Sequence, residues 1–433
     1  MVVNRGSTPS AQETFAQMAK AAGLRGRIIL TLGLLLLVRI GIYIPIPGID
    51  RVAFAENAAN SPVFGFLDIF SGGGFSALGV FALGILPFIN ASIVMQLLTS
   101  AVPYLENLQK NEGEQGRRQI SQITRFVTLG WAIIQGVGLA VWAREFALGS
   151  NPVAFVISTT LALAAGSLFV MWLGEVITER GVGNGASLLI FVNIVAVLPR
   201  ALGNTFSLAQ QDSSRIGGIV LLVAVFLAMI VGIVFVQEGQ RRIPIVSAKR
   251  QVGNRLYREQ KNYLPLKLNQ GGVMPIIFAT SVLILPASLA QFAQNETLAQ
   301  IAVFMSPSSW FYILVYLVLI LFFSFFYASL IINPVELAQN LKKMGSSIPG
   351  IRPGKATAEY VGAVLNKLTL LGALFLGAVA IVPTIVERAT GITTFQGLGA
   401  TSLLILVGVA IDTSKQIQTY VVSQRYEGMV KEG

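Results

Sequence analysis

The chain has 433 residues, 54% of them hydrophobic and only 12% charged, with a mean hydropathy of +0.70; a soluble globule carries about 25% charged residues, so this is the composition of a membrane protein. It contains no cysteine and no histidine, which excludes a disulfide framework, thiolate chemistry, and the commonest general base and transition-metal ligand. The formal charge of +11 implies an anionic partner such as RNA, an acidic protein face or lipid headgroups, provided the charges cluster.

Residues 1–23 are polar, with Phe15, Met18, Ala19 and Ala22 at helical spacing, which suits a short helix at the membrane interface. No small-residue cleavage site follows a short apolar core, so a removable signal peptide is not expected. The first apolar span runs from about Ile28 to Ile44, and Pro45 and Pro47 stop it. Pro62–Phe70 is apolar but far shorter than the ~20 residues a crossing helix needs. Such a segment is expected to be re-entrant or packed in a cavity, because lipid does not tolerate exposed backbone. Ser71-Gly72-Gly73-Gly74 follows as a flexible break, which makes the stretch a candidate moving part. Further spans fall at roughly 77–102, 121–143, 153–175, 186–204, 216–237, 272–292, 309–332, 367–387 and 398–414. With the first, that makes ten. Unbroken apolar runs of this length predict an all-α polytopic membrane protein and not a barrel.

Lys and Arg in the loops set the orientation. Alternate loops and the two ends place 25 of the 31 basic residues on one side; only Arg39, Arg51, Arg144, Arg200, Arg215 and Arg388 fall on or near the other. Both termini are therefore expected in the cytoplasm. Two long cytoplasmic loops, about Gln237–Gln270 and Asn333–Asn366, carry 12 basic residues between them, and Lys367 follows the second directly. Arg241, Arg242, Lys249, Arg250 and Arg255 cluster in the first, and Gly350-Ile351-Arg352-Pro353-Gly354 in the second reads as a tight turn presenting Arg352. These loops could simply face anionic lipid headgroups. They exceed what topology requires, and so also suit a docking surface for RNA or a large soluble partner.

Gly84–Ser92 (Gly-Ile-Leu-Pro-Phe-Ile-Asn-Ala-Ser) returns as Gly272–Thr280 (Gly-Val-Met-Pro-Ile-Ile-Phe-Ala-Thr), with proline fourth, isoleucine sixth, alanine eighth and a hydroxyl ninth. Ser187-Leu188-Leu189-Ile190 returns as Ser402-Leu403-Leu404-Ile405. The first echo pairs spans 2 and 7, the second spans 5 and 10. Five spans per half is an odd number, so related halves must be inverted relative to one another, and interrupted helices at matching places point to a transport site. The echoes single out Ile89 with Ile277 and Ile190 with Ile405; helical spacing adds Ile85 and Ala186. At a midplane constriction such side chains would form a dry gasket that blocks ions. Each alone is equally an ordinary core or lipid-facing residue.

Coupled transporters keep ionisable groups at mid-span, and this chain has almost none; Arg39, late in span 1, could snorkel outward. A secondary transporter of a small solute would lack its usual carboxylate, although sodium can be held by carbonyls. An intramembrane enzyme would need a Ser–Lys or aspartyl site, and no Lys or Asp sits at mid-span; Lys367 and Asp412 fall at span ends. A pore-free insertase fits the short apolar segment poorly.

The ordered motifs Ile44-Pro45-Ile46-Pro47-Gly48, Ala82-Leu83-Gly84-Ile85-Leu86-Pro87, Glu112-Gly113-Glu114-Gln115-Gly116-Arg117-Arg118, Met171-Trp172-Leu173-Gly174-Glu175, Gly239-Gln240-Arg241-Arg242-Ile243 and Ile348-Pro349-Gly350-Ile351-Arg352-Pro353-Gly354 resemble the SecY family, the central subunit of the bacterial and plastid protein-conducting translocon, over essentially the whole chain. The resemblance implies ten transmembrane helices in two inverted five-helix halves, at about 24–205 and 206–433, around an hourglass channel. It implies a pore ring of Ile85, Ile89, Ala186, Ile190, Ile277 and Ile405, where Ala186 departs from the bulky residue usual in the family. A plug at about 62–74, with Phe64, Phe66, Leu67, Ile69, Phe70, Gly72 and Gly73, would lie beneath the ring. Spans 2, 3, 7 and 8 would form a lateral gate to lipid, with Asn90, Gln96 and Asn269 along it. The basic loops would dock the SecA motor or the ribosome, Arg352 foremost, and SecE and SecG would be membrane partners. Signal sequences and nascent polypeptides would be the clients, and anionic lipids would surround the channel in a bacterial plasma membrane or a thylakoid. Glycine-rich stretches occur only at Gly72–Gly74 and Gly181–Gly185, neither of them a nucleotide-binding motif. No cofactor is expected, and energy must come from a partner.

Overall fold

The computed structural model describes residues 22–59, 68, 70–149, 151–211, 216–247, 250–252, 255–257, 261–292, 309–390 and 400–431. The expected interfacial helix at the N-terminus and the plug residues Phe64, Phe66, Leu67 and Ile69 lie outside these residues, as does Lys249. The chain divides into two compact units. The first holds the residues up to Gly203 and those from Val409 onward; the second holds Asn204 to Gly408 apart from a short stretch at 291–294.

In the first unit, α1 (Ala22–Ile42) is followed by short α2 (Arg51–Ala59), then α3 (Leu86–Ala101), α4 (Pro103–Lys110), α5 (Gly113–Ala143), α6 (Pro152–Arg180) and α7 (Gly185–Gln211), whose last residues pass into the second. The second contains α8 (Ile216–Glu238), α9 (Met274–Phe292), α10 (Trp310–Ile331), α11 (Pro334–Lys343) and α12 (Lys355–Thr390), and α13 (Ala400–Lys431) starts within it. Each of the ten expected spans contains a helix. By length and composition alone, however, six helices among the described residues can cross a membrane, or seven if α3 and α4, bent by 97° at Val102-Pro103, count as one span. Of the other three, α1 carries Arg25, Arg27 and Arg39, α13 runs well past Asp412 into polar sequence, and α9 counts only as a shorter apolar helix, Met274–Leu283, among the described residues.

Span 2 begins later than its apolar run predicts. Residues 77–85 are turns, and the helix starts at Leu86 with Pro87 in its first turn, where the missing N–H costs nothing. The preceding stretch lies along the chain after α1: Val80 N–H donates to Ile44 O at 2.9 Å and Ile46 N–H to Leu78 O at 3.4 Å. Arg51 fixes it further by donating Nε and Nη2 to Ala77 O at 2.9 and 2.8 Å. An aromatic cluster seals this region, with Phe54 edge-on to Trp142 at 4.8 Å among Phe75, Leu78, Leu139 and Leu163. Helices α5 and α6 pack antiparallel, and at one end Glu175 accepts a fork from Arg125, Nε to Oε1 at 3.0 Å and Nη2 to Oε2 at 2.9 Å.

The all-α expectation missed a small amount of β-structure in the basic loops. Strand β1 (Gln240–Ser247) pairs antiparallel with β4 (Lys261–Lys267) in the register Ile243↔Leu264, and β2 (Arg250–Val252) pairs with β3 (Arg255–Tyr257). The described residues of the two ladders keep one register, with β2 and β3 nested between β1 and β4 in the chain in the manner of a hairpin. Pro244 and Pro265 alternate with the inward Ile243, Ile245 and Leu266. β5 (Ser346–Ser347) joins β1 only at Val246 and Ser247, beyond the proline that could not donate to it.

Candidate functional site

The two echoed segments adopt matching turns. Gly84 has φ +52° and Gly272 φ +60°, a left-handed conformation that glycine enters without a Cβ penalty. Each helix begins two residues later, at Leu86 and Met274, with a proline in its first turn. Ile89 N–H then donates to Ile85 O at 3.1 Å, and at the equivalent place Ile277 N–H donates to Val273 O at 3.2 Å. A helix interrupted within a membrane must have its freed carbonyls met by other groups. Ser167 of α6, wholly buried, donates Oγ–H to Gly84 O at 3.0 Å. Asn269 donates Nδ2–H to Gly272 O at 2.7 Å. Different residue types thus do one task in the two copies. Ser167 carried no signal in the sequence, since the group it meets is a main-chain carbonyl.

The residues expected to form the ring fall in both units. Ile85, Ile89 and Ile190 are buried in the first, where Ala186 is half-buried; Ile277 and Ile405 are buried in the second. Ile85 and Ile89 occupy one turn at the start of α3, and Ile190 lies near the start of α7. Ile85 Cδ1 sits 3.3 Å from where a Cβ on Gly174 would be, which places it against α6. Beside Ile277, Phe278 packs on Tyr327 and Phe323 at 5.1 and 5.7 Å, and Thr280 shares a 3.2 Å hydrogen bond with Tyr316 across α9 and α10. Of the expected gate residues, Asn90 is buried and Gln96 half-buried on α3. The Asn269 amide is committed to its own turn.

The described end of the plug segment is not a flexible break. Ser71 Oγ accepts from Phe75 N–H at 2.9 Å, Asp68 Oδ1 from Ser76 N–H at 2.7 Å and Asp68 O from Gly73 N–H at 2.8 Å. Nor does Arg39 snorkel to the surface. Its Nη1 donates to Gly72 O at 2.6 Å.

Three of the residues expected to dock a partner, Arg241, Arg242 and Arg352, belong to elements that share one core. Ile243 and Leu266 of the hairpin, Ile348 and Ile351 of the Arg352 turn, and Val361 and Leu365 of α12 share one apolar cluster. Above it Arg241, Arg242 and Arg352 are exposed. Gly350 (φ +80°) and Gly354 (φ +108°) flank the turn, and Thr357 Oγ1 donates to Arg352 O at 2.9 Å. Arg250 and Arg255 lie in the outer ladder of the hairpin.

A protein-family model described as SecY matches residues 79–414. The protein translocase subunit SecY of Synechococcus elongatus is 69% identical over the whole of both chains. The chain belongs to the SecY family. It is a protein translocase subunit of the SecY type and a multi-pass membrane protein. Two solved SecY-type channels share its fold over 92% of this chain and 92% of theirs. One is a SecY protein described for a plug domain that stabilises the closed state and maintains a membrane seal (TM-score 0.61, 17% identity). The other is Sec61 in the canine ribosome–channel complex (TM-score 0.61, 16% identity). At these identities the likeness is one of fold.

Proposed function

We propose that this SecY-family channel conducts unfolded polypeptides through a ring of Ile85, Ile89, Ala186, Ile190, Ile277 and Ile405, and releases transmembrane segments sideways into lipid past Asn90, Gln96 and Asn269. The observation that carries the assignment is the matched glycine–proline turn at Gly84 and Gly272, each with its carbonyl met by a side chain. Rigid turns of one geometry at the starts of spans 2 and 7 fix Ile89 and Ile277 at equivalent points. Branched apolar side chains offer a passing polypeptide no strong hydrogen bond, so it keeps moving, and they exclude ions by dewetting when nothing passes. The segment at about 62–74 would seal the resting channel, the role named for the plug of the related SecY structure. The exposed arginines of the hairpin platform would receive the SecA motor or the ribosome, with SecE and SecG alongside in the membrane. Both termini would be cytoplasmic, and the membrane a bacterial plasma membrane or a thylakoid.

The test is site-specific photocrosslinking in reconstituted vesicles holding an arrested client. Probes at Ile89 and Ile277 should react with the client, and a probe at Phe235, exposed on α8, should react with lipid alone. Equal client crosslinking from Phe235 would overturn the assignment.

A further inference from the structure

Arg39 is a full charge in the last turn of a membrane helix, and its partner is unusual. Among the described residues no carboxylate pairs with it. Its Nη1 instead donates to the main-chain oxygen of Gly72, 33 positions along the chain, at 2.6 Å. Its Nη2 lies 3.4 Å from Tyr43 Oη, with the guanidinium 5.8 Å from the Tyr43 ring. Two residues before Gly72, Asn193 of α7 donates Nδ2–H to Phe70 O at 2.7 Å. Asn193 is buried, and its Oδ1 has no hydrogen-bond partner among the described residues. A buried acceptor left unmet is rare enough in native proteins to need an explanation. Between these donors, Gly72 has φ +68°, and a Cβ there would lie 2.6 Å from Arg39 Nη1 and 2.7 Å from Asn193 Oδ1. The turn fits its two holders only as glycine.

These contacts differ in kind from those that fix the rest of the region. Arg51 forks onto Ala77 O with two donors. Arg39 places one donor on one carbonyl, with no opposite charge among the described residues to lock it. The C-terminal end of α1 favours a cation there with or without Gly72, so release of the turn does not strand the charge. Asn193 Oδ1, unmet among the described residues, leaves the held state poorer there by one hydrogen bond. A contact built this way holds and can let go.

We infer that Arg39 and Asn193 are positioning residues that clamp Phe70–Gly72 in the resting channel and release it when a client enters. The inference rests on the sealing role proposed for this segment. It is tested by hydrogen exchange on the full translocon in vesicles, with and without an arrested client, following the Gly73, Phe75 and Ser76 amides. In the parent chain these amides should exchange faster once a client is arrested. In Arg39→Leu and Asn193→Leu they should already exchange roughly tenfold faster at rest, as loss of a charge-assisted or buried bond implies, while α1 and α7 keep their protection. Arg39→Lys, which keeps a donor and its charge, should restore part of the difference. Equal exchange at rest and with a client would overturn the release, and unchanged exchange in both leucine variants would overturn the clamp. Resting conductance of a chain lacking residues 62–67 separates the two layers: a value equal to the parent's overturns the sealing role, and the exchange data still decide the clamp.

Discussion

Ser167→Ala removes one hydroxyl from the wholly buried face of α6 and leaves the buried carbonyl of Gly84 without its 3.0 Å partner. Hydrogen bonds between membrane helices average about 0.6 kcal/mol and reach about 1.7, because the unfolded chain in lipid also finds partners. A buried acceptor orphaned by deletion costs about 1–3 kcal/mol. Gly84 lies in a turn and not in a helical ladder, so no neighbouring amide takes over its carbonyl, and the upper part of the first range applies: about 1–2 kcal/mol. At roughly 2–4 °C per kcal/mol for a unit of this size, the melting temperature of the purified complex should fall by about 2–8 °C. Ser158→Ala is the matched control on the same helix. Its hydroxyl donates at 3.1 Å to Phe155 O, within its own helix, and its loss should cost under about 0.5 kcal/mol. Asn269→Ala should repeat the Ser167 effect in the second unit. Equal shifts for Ser167→Ala and Ser158→Ala would refute the reasoning that the repeated turn depends on a side-chain cap.

Arg352→Glu should reduce motor-dependent translocation by vesicles roughly threefold to tenfold, chiefly through slower association at low salt; unaffected transport would remove Arg352 from the docking surface. For the Arg125–Glu175 fork, whose side chains are 49% and 19% exposed, solvent screening limits the pair to about 1 kcal/mol. A double-mutant cycle on thermal stability with Arg125→Gln and Glu175→Gln should show coupling of that size, and no coupling would mean the fork is incidental.

The helices were legible because long apolar runs admit no other hydrogen-bonded state in lipid. The echo at Gly84 and Gly272 was legible because glycine and proline act on the backbone directly: the same letters gave the same left-handed turn and the same late helix start. What stayed hidden depended on main-chain atoms, which have no signature in sequence. Arg39 read as a snorkelling charge because its acceptor is the carbonyl of Gly72. Ser71–Gly74 read as a loose linker because three glycines look flexible, whereas Asp68, Ser71 and Asn193 tie the turn down. The hairpin did carry a signal: Gly253-Asn254 lies between segments alternating through Ile243 and Ile245 and through Leu264 and Leu266, a two-residue turn pattern. The prolines in both strands and the charge of the loop masked it. Arg241 and Arg242 were read as members of a basic cluster, and the strand beneath them is what places them beside the Arg352 turn.

The isoleucine ring is the centre of the functional account, and resting conductance tests it most directly. Ile89, Ile190 and Ile277 replaced together by glycine remove three branched side chains from the proposed constriction without adding a polar group. In planar bilayers the triple variant should pass ions at rest where the parent channel is closed. A resting conductance equal to the parent's, in a variant that still translocates clients, would contradict the ring as the seal.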